Sequence, residues 1–179
     1  MKKCLSKFFP PFFFEMIFLA LLTVITWHVG QQRLEGWSGP AGSLTNDLFV
    51  PAIMMNAGKG FTNTEPSETP SLRAFLDFQA PNFDCNVIRQ DIRNIPLHPF
   101  QEYHRYLIYS VAAIWRFFGV SWDAMKLLIL FFFCASVLSV YGICRLAMNP
   151  AFSFFAALGF AFAQPVLWTL PILRDFAKA

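Results

Sequence analysis

The sequence predicts an all-α membrane protein, with three transmembrane helices and a large outer loop carrying short juxtamembrane helices. Three observations lead there. Of 179 residues, 56% are hydrophobic and 23 are Phe, with a mean hydropathy of +0.46, which is richer in apolar side chains than a soluble domain usually is. Three apolar runs approach the roughly 20 residues that a bilayer crossing requires. The stretch between the first two runs holds most of the acidic residues and loop-forming strings such as GWSGPAGS and NTEPSETPS. The net charge of +3 is small and the basic residues are scattered, which argues against a nucleic-acid partner.

The first span is expected over 12–29, behind a cytoplasmic N-terminus of 1–11. Its basic start resembles a secretory signal, but the run is long, carries Glu15 and continues into WHVGQQRLEGW instead of a small-residue cleavage site. An uncleaved signal anchor is expected. The second span covers 124–146, including LLILFFFCASVLSVYGICRL, and the third covers 150–170 after the short AMNP link. Those two form a helical hairpin, in which internal Gly and Pro are tolerable because neighbouring helices can satisfy the freed backbone groups. Lys2, Lys3 and Lys7 precede the first span and Arg145 sits at the hairpin, so the positive-inside rule puts both in the cytoplasm. The loop 30–123 and the tail 171–179 then share the outer face.

Within the loop, NDLFVPAIMMNAGKGF predicts a short helix started by Asn46 or Asp47 and stopped by the glycines. The run YHRYLIYSVAAIWRFFGVSW is interrupted by Arg105 and Arg116. It suits a helix in the membrane interface, with Trp115, Trp122 and the tyrosines at headgroup depth. Counting it as a fourth span would put Arg145 outside. No internal repeat is present. The four cysteines, Cys4, Cys85, Cys134 and Cys144, have no metal-ligand spacing, and two lie in apolar runs where a thiol acts as a small hydrophobe.

The order of these parts resembles the N-terminal third of the GT-C glycosyltransferases. The resemblance runs from the anchor through an acidic residue ahead of NAGKGF, then HPFQEYHRYLIYSVAAIWRFFGVSWDAMKLL, a Phe-rich span ending in YGICRL, and LPILRDFAKA. Such enzymes, similar to protein O-mannosyltransferases and lipid A aminoarabinose transferases, take a sugar from a polyprenyl-phosphate carrier on the outer membrane face. The resemblance implies catalytic roles for Asp47 in the first outer loop (with Glu35 behind it), Glu102 after the LHPF turn, and Asp175 after the third span. It implies phosphate-binding roles for Lys126, Arg105, Arg174 and His104. Lys126 stands where the family usually has an arginine, keeping the charge but not the planar fork. Membrane lipid and a polyprenyl-phosphate sugar are the implied partners.

The chemistry asks for these residue types. A carboxylate near the acceptor takes its proton as the nucleophile attacks the anomeric carbon, and cations stabilise the leaving phosphate. Asp47 and Asp175 could also hold a divalent metal; no other cofactor is implied. Plainer roles exist for each: Asp47 as a helix cap, Asp175 and Lys126 as markers of the water boundary, Glu102 and His104 as the polar start of an interfacial helix, His28 and His98 as structural. Because the family has many more spans, the sequence reads as a truncated member, inactive alone. The alternative is a small non-catalytic membrane protein that binds a partner through its outer loop. A transporter is a weaker third option, since no ionisable residue sits at mid-span.

Overall fold

The computed structural model describes residues 11–40 and 47–171, and the chain is mostly helical. Among the described residues two helices are long and apolar enough to cross a membrane: the stretch Phe13–Arg33 of helix α1 (Pro11–Arg33) and the whole of helix α6 (Trp122–Arg145). The chain divides into two compact units, 1–35 with 130–170, and 36–129 with 171–179; α6 begins in the second and ends in the first.

The first unit is built from α1, the later part of α6, and helix α7 (Pro150–Ala161). Asn149 starts α7 by accepting the Phe152 N–H on its side chain at 3.0 Å, ahead of a proline whose missing N–H costs nothing in a first turn. Ser153, Ala157 and Ala161 recur every four residues, and all three are fully buried. Small side chains at that spacing line one helix face and let α7 approach α1, where Phe18 and Phe154 meet with ring centroids 5.1 Å apart. On α6, Leu130, Phe133, Cys134, Val137 and Tyr141 are buried at helical spacing. Gly30 of α1 lies so near α6 that a Cβ there would stand 2.5 Å from Leu130 Cδ2. Glu15 finds a cation in Arg145, whose Nη2 and Nε lie 2.5 and 3.2 Å from one carboxylate oxygen. Large apolar side chains point away from the unit, among them Val24, Phe131, Ile143, Phe152 and Phe155, each more than 60% exposed.

The third apolar run differs from the expected continuous helix over 150–170. It is divided into α7 and a short helix α8 (Gln164–Thr169), with Phe162 and Ala163 between them. Pro165 lies in the first turn of α8, and proline lacks the N–H that would continue the ladder from α7.

The second unit is organised by aromatic rings. A 3-10 turn (Asp47–Phe49) leads into α2 (Val50–Asn56), and α3 (Pro70–Leu76) follows. Two-residue strands β1 (Asn82–Phe83) and β2 (Val120–Ser121) pair antiparallel, Asn82 with Ser121 and Phe83 with Val120. Helices α4 (Pro99–Tyr103) and α5 (Arg105–Phe118) lie between them in sequence. The expected stop of α2 is found: its last turn closes through Gly58 N–H to Met55 O and Lys59 N–H to Met54 O, with Gly58 at φ +76°. The cap position of α2 is Phe49, with no side-chain cap, so Asp47, which opens the preceding 3-10 turn, is not the cap of α2.

Trp115 and Trp122, expected at headgroup depth, instead form the core of this unit, 2% and 3% exposed. Phe75 stacks on Trp122 at 4.7 Å with planes 7° apart, and Phe49, Phe75 and Trp122 each meet Trp115 edge-on at 6.0–6.3 Å. Both indole N–H groups are satisfied inside: Trp115 donates to Ser121 O at 2.8 Å and Trp122 to Phe75 O at 3.1 Å. An indole paired to backbone has no need of the interface, which is why the core claims both.

Gly39, at φ +143°, faces this cluster: a Cβ there would lie 2.0 Å from Phe78 Cε1, whose ring packs on Trp122 at 5.0 Å. Gly39→Ala is expected to destabilise the unit by about 1–3 kcal/mol, combining overpacking with an unfavourable backbone angle. A denaturant midpoint followed by tryptophan fluorescence measures it, and an unchanged midpoint would show that Phe78 yields freely.

Candidate functional site

Asp47 opens the 3-10 turn before α2, and its surroundings come from three distant stretches. From α3, Arg73 places Nη1 3.6 Å from Asp47 Oδ1, while its Nε donates to Asp77 Oδ2 at 2.9 Å. Arg73 and Asp77 are four residues apart, one helical turn, so they meet on one face. From α4, Gln101 donates Nε2 to the Asp47 carbonyl at 2.9 Å. Gln101 is 4% exposed, and its Oε1 accepts from Asn63 Nδ2 at 3.1 Å and from His98 N at 3.0 Å. One buried amide thereby ties the Asp47 turn to two other stretches. The His98 side chain in turn accepts from the Phe100 N–H, completing a capping box in which His98 is structural.

The electrostatics follow from this placement. Partial burial pushes the Asp47 carboxyl above its usual range; Arg73 pulls it down, and Asp77 and Glu65 push it up again. Its side chain nonetheless keeps 53% of its exposure, so water or a ligand can reach it. Arg73 is held firmly cationic, first by its hydrogen bond to Asp77. A carboxylate with heightened proton affinity beside a fixed guanidinium can accept a proton and steady a neighbouring anion.

Of the other expected site residues, Arg105, His104 and Lys126 bond groups other than Asp47. Glu102 is exposed on α4, next to Gln101. Arg105 is exposed, its Nε donating to the Glu102 carbonyl at 3.2 Å. His104 is buried at 6% exposure between the Phe100 and Tyr103 rings. Its Nδ1 lies 2.8 Å from Phe100 O; a carbonyl only accepts, so that nitrogen carries the hydrogen. Lys126 pairs with Asp123 at 2.7 Å beside a cavity of about 240 Å³ lined by Trp37, Phe78 and Trp122. Glu35 is exposed in the turn after α1. Asp175, Arg174 and Asn46 lie outside the described residues. Among the described residues no three His, Cys, Asp or Glu side chains gather as metal ligands.

Sequence reasoning missed Arg73, Asp77 and Gln101. The one-turn spacing of Arg73 and Asp77, and a glutamine three residues after His98, are signals that were there to be found. A further cavity, about 420 Å³, is lined by Asn56, Asp84, Cys85, Trp115 and Arg116 among others. Burial, with Asp84 adding to it, raises the Cys85 thiol to about 11. Cys85 is therefore expected to alkylate about 100-fold more slowly at pH 8 than an ordinary thiol of pKa near 8.5, because the thiolate is the reactive form. Iodoacetamide kinetics in a background with Cys4, Cys134 and Cys144 changed to Ser tests it; an ordinary rate would refute the burial argument.

No family model, curated protein or solved structure matches this chain.

Proposed function

We propose that the chain is the N-terminal part of a membrane glycosyltransferase that takes a sugar from a polyprenyl-phosphate carrier on the outer membrane face, with Asp47 as general base. The observation that carries this reading is Asp47 itself: accessible, raised in proton affinity by partial burial, and set beside Arg73. In this reading Asp47 takes the proton of the acceptor hydroxyl or amine as that atom bonds to the anomeric carbon. The sugar–phosphate bond breaks with its electrons going to the phosphate, whose charge Arg73, Lys126 and Arg105 are available to steady. By the resemblance Glu102, His104, Arg174 and Asp175 would extend the site, and the carboxylates of Asp47 and Asp175 would supply oxygen ligands to a divalent metal.

The membrane setting has its own support in two long apolar helices and in outward-facing apolar side chains. The Glu15–Arg145 pair joins the N-terminal end of α1 to the C-terminal end of α6. That suits an N-terminus and a 146–149 hairpin on the same cytoplasmic side, a third span made of α7 and α8, and the segment 30–123 outside.

The test supplies membrane vesicles carrying this chain, and separately the complete gene product, with a radiolabelled polyprenyl-phosphate sugar. Sugar transfer to an acceptor by the complete product, dependent on Asp47, is the expected result. Absence of both transfer and donor binding, together with a stable complex of the 30–123 segment with another membrane protein, would establish the accessory-protein alternative, which the exposure of Glu102 favours.

A further inference from the structure

Helix α5 has two apolar faces. One is buried: Leu107, Ile108, Val111, Ala112 and Trp115 pack into the second unit. The opposite face carries Tyr106 and Phe117, 79% and 81% exposed and eleven residues apart, which is three turns and hence the same side. Phe118, 63% exposed, ends the helix on the side of Leu107, eleven residues before it, and is not part of this face. On one edge run Arg105 and Arg116, also eleven residues apart and both exposed. A water-facing helix surface has no physical reason to hold such large aromatic rings.

We propose that this face of α5 lies in the headgroup layer of the bilayer, its rings among the upper acyl segments and Arg105 and Arg116 against lipid phosphates. Three arguments select lipid as the occupant. The chain allows little distance: only Gly119, Val120 and Ser121 separate Phe118 from the start of α6, at most about 10 Å of extended backbone. The residue types are those of an interface, with tyrosine and phenylalanine along the face and arginines along one edge, a pattern that anionic headgroups complement. Tyr109, whose ring meets Phe61 at 4.8 Å with planes tilted by 44°, braces the helix, so the face is presented on a packed unit and does not depend on membrane contact to fold. The inference rests on α6 crossing the membrane; it shares only Arg105 with the transferase reading, and Tyr106, Phe117 and Arg116 carry it without that reading.

The test places the photo-crosslinker p-benzoyl-phenylalanine at Tyr106 or Phe117 of the full chain in nanodiscs of mixed zwitterionic and anionic phospholipid. Phe131, outward on α6 and 62% exposed, is the membrane control, and Val87, 50% exposed in the second unit, the water control. All four side chains are substantially exposed, so the substitutions leave the packing in place. Lipid adducts at Tyr106 and Phe117 as heavy as at Phe131, with none at Val87, are expected. Changing Arg105 and Arg116 to Gln is expected to remove the preference for anionic lipid among those adducts. Lipid adducts at Phe131 alone would overturn the proposal, as would adducts with protein at Tyr106 and Phe117, which would mark the face as a protein interface. Failure at Phe131 too would remove the membrane span on which the proposal stands.

Discussion

Asp47→Asn is expected to lower the proposed sugar transfer, assayed in the complete product, by about 10²–10⁴-fold, the usual contribution of a positioned general base. Asparagine keeps the size and the backbone carbonyl that holds Gln101, but its amide cannot take the acceptor's proton. Stability at neutral pH is expected to hold. A carboxyl whose folded value is raised favours the fold while protonated and ceases to do so as pH rises through that value, so at pH 7 the variant gives up nothing. The pH profile supplies a second readout. Because the ionised form is the base, the rate rises with pH as Asp47 loses its proton. Arg73 lowers the proton affinity of Asp47, so Arg73→Gln is expected to move that rise to higher pH. Initial rates of labelled-sugar transfer between pH 4 and roughly pH 8 measure both. Wild-type rates in Asp47→Asn would return Asp47 to a plain role at the start of its turn.

Trp122→Ala is expected to cost the second unit about 3–5 kcal/mol, the range for deleting a large buried aromatic side chain. The ring is 3% exposed, stacks on Phe75, meets Phe49, Phe78 and Trp115, and satisfies the Phe75 carbonyl. Its removal leaves a cavity among rings too rigid to close over it and a carbonyl short of one donor. A domain's whole stability is about 5–15 kcal/mol, so the loss exposes the segment 36–129 to protease. Trp122→Phe keeps one ring of the stack but loses the pyrrole portion of the indole with its N–H, with an expected cost of about 1–3 kcal/mol. Trypsin cleavage within 36–129 of the full chain in detergent ranks the two against wild type, since proteolysis follows the open population. Equal cleavage of all three would mean that the aromatic cluster does not hold the unit together.

What the sequence revealed depended on how local each signal was. The two long helices are written in continuous hydropathy, and the 3-10 turn and α2 in an apolar repeat ending at NAGKG. The interruption of the third run was less legible, although Gln164–Pro165 marks it, because proline inside a membrane segment is compatible with either a kink or a break. The tryptophans misled for a different reason. A local rule that sends Trp to the interface cannot anticipate that Phe49 and Phe75, 40 or more residues away in sequence, would enclose Trp115 and Trp122. The candidate site divides in the same way. Asp47 stood out as an acidic residue ahead of a glycine-rich turn, but the amide that anchors it comes from position 101, 54 residues on.

The Glu15–Arg145 pair carries a consequence for biogenesis. The two side chains are 130 residues apart in sequence, so at synthesis rates of about 5–20 residues per second the carboxylate is made roughly 7–26 s before its cation. In the proposed membrane setting α1 enters the bilayer before the Arg145 partner of Glu15 has been made. Arrival of Arg145 ends that state. The pair thus acts as a latch between α1 and the end of α6, and α1 in a ribosome-bound intermediate stalled before residue 145 is held less firmly than in the finished chain.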